Sequence, residues 1–245
     1  TVLAAGCNKD PVGVEDGERL PDADMRVLFI GNSLTYTNNL PAMVQTIAEA
    51  TGHTMVFGIA AAPNVSLEDH WRNGVEGTIL TVEADVVVMQ QGPSSLPQNQ
   101  DHLRYWADRL AGPIRQAGGE PALYMVWPDA GRTDAFGTVY QAYQEAAQEV
   151  NGLFMPAVLA WLHTWNQDPE LDLYGPDGFH PSTLGSAVAA LTIFRILFDQ
   201  DVTLLPSRFE PTTSGLPTVD FGPNGDVIKQ AVEIAVGGGP HEPGG

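Results

Sequence analysis

Apolar residues fall along this chain in short blocks of two alternating kinds. Residues 25–30 (Met-Arg-Val-Leu-Phe-Ile) and 85–89 (Asp-Val-Val-Val-Met) are compact apolar runs. Runs of this length read as strands buried on both faces. Residues 54–60, 122–127 and 153–155 are further strand candidates. Between these blocks the apolar spacing changes to three and four. Residues 41–50 open on Pro41, carry Met43, Val44 and Ile47 at helix spacing, and stop at Gly52. Residues 66–71 form a short helical pattern with Ser66 as N-cap and Asp69 three residues on. Helices are also expected over 103–117, bent or interrupted by Pro113, and over 135–150, 158–165 and 182–198. Strand and helix alternate five times, which predicts one parallel sheet with helices on both faces and right-handed crossovers. Chemistry in such sheets sits beyond the carboxyl ends of the strands. The polar residues that end each strand are therefore the ones to weigh.

The two ends of the chain lack this pattern. Residues 3–7 read Leu-Ala-Ala-Gly-Cys, which resembles the lipobox of bacterial lipoproteins, with Ala4 in place of the preferred Leu. That resemblance implies a trimmed signal peptide, a lipid on Cys7, and export to the bacterial cell envelope or beyond. Residues 8–24 are rich in Asp, Glu, Gly and Pro and read as a solvated tether. The expected organisation is a tether over 1–24, an α/β domain over 25–200, a C-terminal extension over 201–236 and a disordered tail over 237–245. The extension holds one possible helix, 227–236, and its packing is left open by the pattern.

Composition narrows the partners. Eleven Lys and Arg stand against thirty Asp and Glu, a net charge of −19. Such a surface repels phosphate backbones and anionic membranes, so nucleic acid is not an expected partner, and membrane contact is expected only through a lipid on Cys7. One cysteine excludes an internal disulfide. Apolar residues make up 43% of the chain, enough for a packed core. No Cys/His cluster suits zinc and no glycine-rich phosphate loop is present, so neither metal nor cofactor is expected.

Two segments carry chemistry. The first strand runs into Gly31-Asn32-Ser33-Leu34-Thr35. A serine just past a buried strand is exposed at the sheet edge; taken alone it is an ordinary turn or cap residue. The second segment, Asp177-Gly178-Phe179-His180-Pro181-Ser182, precedes the long helix of 182–198. Gly178 and Pro181 favour a turn, from which Asp177 can fold back onto the imidazole and leave its other nitrogen free as a base. His180 is a better base than His53, His70, His102 or His163, because only it has an Asp and a rigid turn beside it.

Together the segments resemble the SGNH hydrolase superfamily, the GDSL-type esterases, over residues 25–198. Gly31-Asn32-Ser33-Leu34 is similar to that family's first block, with Asn for the usual Asp, and Asp177-x-x-His180 to its last. The closer similarity is to acetylesterase-like bacterial members, whose blocks often read Gly-Asn-Ser-Leu-Thr and His-Pro-Ser-x-x-Gly-Ser. The resemblance implies an α/β fold, a three-layer flavodoxin-like sandwich around a five-stranded parallel sheet. It also implies Ser33 as nucleophile, His180 as base and Asp177 as its orienter. The family's oxyanion hole uses the serine N–H, a glycine N–H after the second strand and an asparagine side chain after the third. Here Ser33 supplies the first. Asn64 is the stand-in for the second, since Asn tolerates left-handed backbone. The Gln90 side-chain amide is expected as the third, with Gln91 close behind and Ser94 as an outsider. Asn32, Ser94, His70 and Trp127 are weaker candidates to line the substrate pocket; Trp127 could stack on a sugar or acyl group. Trp161 and Trp165 share a helix face and read as core.

The implied activity is a serine esterase that removes short acyl groups, acetyl above all, from carbohydrate, with no cofactor. Two other readings stay open at this point: a lysophospholipase or arylesterase using the same triad, and a non-catalytic surface protein that binds glycans on a hydrolase scaffold.

Overall fold

A computed structural model describes residues 18–237. Cys7 with its lipobox-like run, and the tail from residue 238, lie outside the described residues. The elements follow in the order β1 (Met25–Gly31), α1 (Ser33–Tyr36), α2 (Leu40–Ala50), β2 (Met55–Ala61), α3 (Leu67–Arg72), α4 (Val75–Val82), β3 (Val86–Met89), α5 (Pro97–Gln116), β4 (Glu120–Tyr124), α6 (Phe136–Glu149), β5 (Leu153–Met155), α7 (Ala157–Gln167), α8 (Thr183–Phe198), β6 (Arg208–Phe209), β7 (Val219–Asp220) and α9 (Gly225–Gly237).

The main sheet is five-stranded and parallel, in the order β2-β1-β3-β4-β5. The expected α/β sandwich is the fold observed. β1 sits between β2 and β3, with Gly31 opposite Ala61 on one side and Ile30 opposite Met89 on the other. Val27 to Ile30 are each no more than 1% exposed, which is why this strand shows no polar alternation. At the opposite end of β1, Asp85 accepts from the Arg26 backbone N–H at 2.8 Å and from its guanidinium, pinning the β1–β3 register. Helices α2, α7, α8 and α9 cover one face and α3 to α6 the other. Strand order reverses between β1 and β3, so a crevice opens at their carboxyl ends, where ligands bind in sheets of this order.

Three local expectations needed correction. α4 was not anticipated; Val75, Ile79 and Val82 give it a short buried face. α5 begins at Pro97, ahead of the first apolar position of the pattern, because Pro at the first helical position starts a turn without needing its N–H. Pro113 does not interrupt α5, which runs on to Gln116; the helix forgoes the one bond its missing N–H would make and ends within four residues of it.

The C-terminal extension packs on the domain. α9 buries Ile228, Ala231, Val232 and Ala235 against α7 and α8. Arg195 of α8 donates to Glu233 of α9 at 2.9 Å, and the buried Lys229 ammonium donates to the Leu205 carbonyl at 2.7 Å. Thr46 of α2 donates to the Pro217 carbonyl at 2.8 Å. Ile228→Ala is therefore expected to cost about 2–5 kcal/mol of global stability. Urea unfolding should show one transition with a lowered midpoint; a separate appendage would leave the main midpoint unmoved.

Candidate active site

The site is built from backbone loops at the carboxyl ends of β1, β2 and β3 and from the segment before α8. β1 ends at Gly31, where a Cβ would collide with Thr35 Oγ1 and Gln90 Oε1. Asn32 then leaves the sheet in extended conformation and caps α1, its Oδ1 accepting from the Leu34 N–H at 3.1 Å. Its Nδ2 donates to the Val65 carbonyl at 3.1 Å, tying the β1 loop to the β2 loop. Its own backbone N–H donates to Gln90 Oε1 at 2.9 Å, and Thr35 Oγ1 donates to the same oxygen at 2.8 Å. The buried His70 imidazole donates from Nε2 to the Gly31 carbonyl at 2.7 Å. Burial pushes the His70 pKa down, which favours the neutral ring. Ser33 is thereby presented from a loop fixed on three sides, as the first residue of α1, where a backbone N–H has no intrahelical partner.

The other half is a tight loop between α7 and α8. Gly175 N–H donates to the His180 carbonyl at 2.7 Å and Ser182 N–H to the Leu173 carbonyl at 2.9 Å, closing its base. Gly178 turns the tip at φ +69°, a conformation that L side chains resist. Ala130 N–H donates to the Gly178 carbonyl at 2.8 Å, and the Trp127 indole N–H to the Phe179 carbonyl at 2.9 Å. Trp127 is fully buried and stacks on Trp161 with centroids 3.8 Å apart. The loop is thus bolted to the aromatic core.

These two halves meet. Ser33 Oγ lies 2.9 Å from His180 Nε2, across 147 residues of sequence. His180 Nδ1 lies 2.6 Å from Asp177 Oδ2. Asp177 Oδ1 also accepts from the backbone N–H groups of Phe179 at 3.0 Å and His180 at 2.9 Å. The hydrogen bond from His180, with those two backbone donors, holds the Asp177 pKa down at about 2. A carboxylate fixed in the charged state keeps the proton on Nδ1, so Nε2 presents a lone pair to the serine hydroxyl. Both groups are open to solvent at the rim, His180 at 37% and Asp177 at 52% side-chain exposure.

The candidate oxyanion donors separate. Asn64 is exposed and left-handed at φ +56°, the backbone state expected of it. Gln90 is fully buried, its Oε1 holding Asn32 and Thr35 and its Nε2 donating to the Gln91 carbonyl. It braces the serine loop, so the expectation of Gln90 as third donor is corrected; strand alternation turns its side chain under the loop. Gln91 is the remaining glutamine, with Nε2 donating to Ser94 Oγ at 3.3 Å. Ser94 is 5% exposed and donates to the Gly92 carbonyl at 3.0 Å, so it is a turn residue and no pocket wall. Trp127 and His70 are likewise removed from the pocket: both are buried and bind loop carbonyls. Asn32, 8% exposed, shapes the loop through its cap.

Sequence reasoning missed the braces. Asn38 Nδ2 donates to the Pro181 carbonyl at 3.1 Å and to Ser186 Oγ at 3.0 Å, joining the serine and histidine segments directly. Tyr143 donates to the Gln91 carbonyl at 2.6 Å, and Tyr174 to the Pro128 carbonyl at 2.6 Å. Asn38 and its neighbour Asn39 are both left-handed, and a polar pair just after the serine motif is the one mark they leave in the sequence. Among the described residues no group of three or more His, Cys, Asp or Glu is placed to hold a metal.

No family model matches the sequence, and no curated protein matches it. Solved structures do. A candidate SGNH hydrolase from Slackia heliotrinireducens is 27% identical, with a TM-score of 0.61 over 70% of this chain and 98% of that one. A DUF4886 family protein from Bacteroides uniformis, 20% identical, aligns with a TM-score of 0.71 over 86% of this chain and 94% of that one. The acetylxylan esterase Axe2 from Geobacillus stearothermophilus, 16% identical, gives a TM-score of 0.55 over 75% of this chain and 96% of its own. The fold is common to all three. Through that fold, and through the 27% identity to the Slackia protein, this chain is similar to hydrolases of the SGNH superfamily.

Proposed function

We propose that the protein hydrolyses short acyl esters, acetyl esters of carbohydrate above all, through a Ser33–His180–Asp177 triad. The observation that carries this reading is the unbroken chain of contacts from Ser33 Oγ to His180 at 2.9 Å and on to Asp177 at 2.6 Å. A serine hydroxyl is a weak nucleophile and needs a base within hydrogen-bond reach. Ser33 Oγ attacks the ester carbonyl carbon as its proton passes to His180 Nε2. The tetrahedral oxyanion faces the Ser33 N–H, the Asn64 loop and the Gln91 amide. Collapse expels the alcohol, which takes the proton from His180 and leaves an acyl group on Ser33. Water, deprotonated by His180, then releases the acid and restores the serine. Asp177 stays ionised throughout and offsets the charge on the imidazolium.

The surroundings offer hydrogen-bonding partners to a polar alcohol. An open cleft of about 540 Å³ beside the histidine loop is lined by Asn38, Asp172, Tyr174, Pro176, Ser182 and Thr183. Its hydroxyl, amide and carboxylate groups, set among Pro176 and Pro181, offer partners to a hydroxyl-rich substrate. The fold likeness to an acetylxylan esterase points the same way.

Ser33→Ala and His180→Ala are each expected to lower kcat on p-nitrophenyl acetate by about 10³-fold or more. A fluorophosphonate should label the wild-type serine and not Ser33→Ala; full activity in both variants would remove the triad. Across p-nitrophenyl esters kcat/KM should fall as the acyl chain lengthens, and a rise toward long chains would instead favour lipid esters. Asp177 makes a pH prediction as well. Its pKa is depressed from 3.8 to about 2, so its stabilising contacts are complete above 3.8 and lost as pH falls through 2. The thermal midpoints of wild type and Asp177→Asn should therefore differ at neutral pH and converge across that acidic window.

A further inference from the structure

Gln91 is held by a histidine–carboxylate pair, His102 and Glu68, that the reaction itself does not use. Its Oε1 accepts from His102 Nδ1 at 3.1 Å and from the Leu67 backbone N–H at 3.3 Å. On the far side of the ring, His102 Nε2 lies 2.9 Å from Glu68 Oε2. The other Glu68 oxygen accepts from Arg72 Nε at 2.8 Å. Three elements converge here: α3 supplies Glu68, Leu67 and Arg72, α5 supplies His102, and the end of β3 supplies Gln91.

A primary amide is symmetric in shape and opposite in function at its two ends. With Oε1 turned toward His102 and Leu67, Nε2 faces away from them. Among the described residues it donates to one acceptor, Ser94 Oγ at 3.3 Å, and its second N–H is uncommitted. Reversing the amide would turn an oxygen lone pair toward the developing oxyanion, which repels where it should attract. The Leu67 contact alone is long for an N–H···O bond. The imidazole is what makes the two orientations unequal.

We propose that Glu68 and His102 are positioning residues that lock the Gln91 amide with its N–H toward the oxyanion of acyl transfer. This rests on the reading of Ser33 as nucleophile and Gln91 as a donor. The Gln91 oxygen can only accept, so Nδ1 of His102 carries a proton. Glu68 lies opposite Nε2, and the hydrogen bonds from His102 and then Arg72 keep the Glu68 carboxyl below its usual range. The protein thus holds two histidine–carboxylate pairs with different outputs. His180 offers a lone pair to a hydroxyl, whereas His102 offers a proton to an amide oxygen and cannot serve there as a base. Trp106 packs beside the ring, tilted, with centroids 6.2 Å apart.

The test is steady-state hydrolysis of p-nitrophenyl acetate by the full chain, with kcat and KM resolved. Gln91→Ala should lower kcat by about 100-fold, the scale of one lost oxyanion donor. His102→Ala should lower kcat about tenfold or more with KM within about twofold. His102→Asn, whose Nδ2 can donate from near the place of Nδ1, should recover most of that loss. In the Gln91→Ala background, His102→Ala should have no further effect, because its influence passes through the amide. An undiminished His102→Ala effect in that background, a loss confined to KM, or full activity in His102→Ala would overturn the inference. If His102→Ala does not fold, folded Glu68→Gln decides: reduced kcat at constant KM supports the lock, and wild-type kcat sinks it. Loss of activity in Ser33→Ala alongside a neutral His102→Ala would defeat this inference alone, whereas an active Ser33→Ala would defeat the reading beneath it.

Discussion

A hydroxyl and an imidazole separated by 147 residues must stay 2.9 Å apart, and the rest of the structure serves that one contact. Catalytic groups lose most of their advantage when displaced by about 1 Å. Loops are poor at such accuracy unless their backbones are tied down. Here the ties are side chains that donate to loop carbonyls: His70 to Gly31, Asn32 to Val65, Trp127 to Phe179 and Asn38 to Pro181. Each bond both satisfies a backbone acceptor that has left regular structure and fixes the loop's position.

The sheet explains why the contact forms where it does. Order β2-β1-β3-β4-β5 sends the chain from β1 outward in one direction and from β3 onward in the other. The crevice at that reversal receives Ser33 from one strand and Gln91 from its neighbour. α8 then runs back along the face shared with α2, and the loop that precedes it delivers His180 over the crevice. Asn38, between α1 and α2, bonds to both Pro181 and Ser186 and closes the arrangement.

The buried strands, the sheet, and the three residues Ser33, Asp177 and His180 were legible because each leaves a local mark. Continuous apolar runs mark the strands, and Asp177 reaches His180 within a single turn. The bracing residues leave none. Gln90 and Gln91 are adjacent and chemically identical, yet one is fully buried under the serine loop and the other is turned toward α3 and α5. Only the direction of each side chain at the strand end separates them. Trp127 lies three residues past the end of β4, at the carboxyl edge of the sheet, a fair reason to expect a sugar platform. Its plane is already occupied by Trp161, a contact 34 residues distant that no periodicity announces. His102 takes its carboxylate from Glu68 on another helix and not from its sequence neighbour Asp101, whereas His180 takes its own from Asp177, three residues before it.

The indole stack beneath the histidine loop also gives the molecule an optical consequence. Trp127 and Trp161 lie almost parallel, 10° apart in plane and 3.8 Å between centroids, close enough for their excited states to couple. Trp127 is at the same time one hydrogen bond from Phe179, next to His180. Near-ultraviolet circular dichroism of this pair therefore watches the seating of the loop from inside, with no label attached, and distinguishes a chain that is merely folded from one whose imidazole is in place.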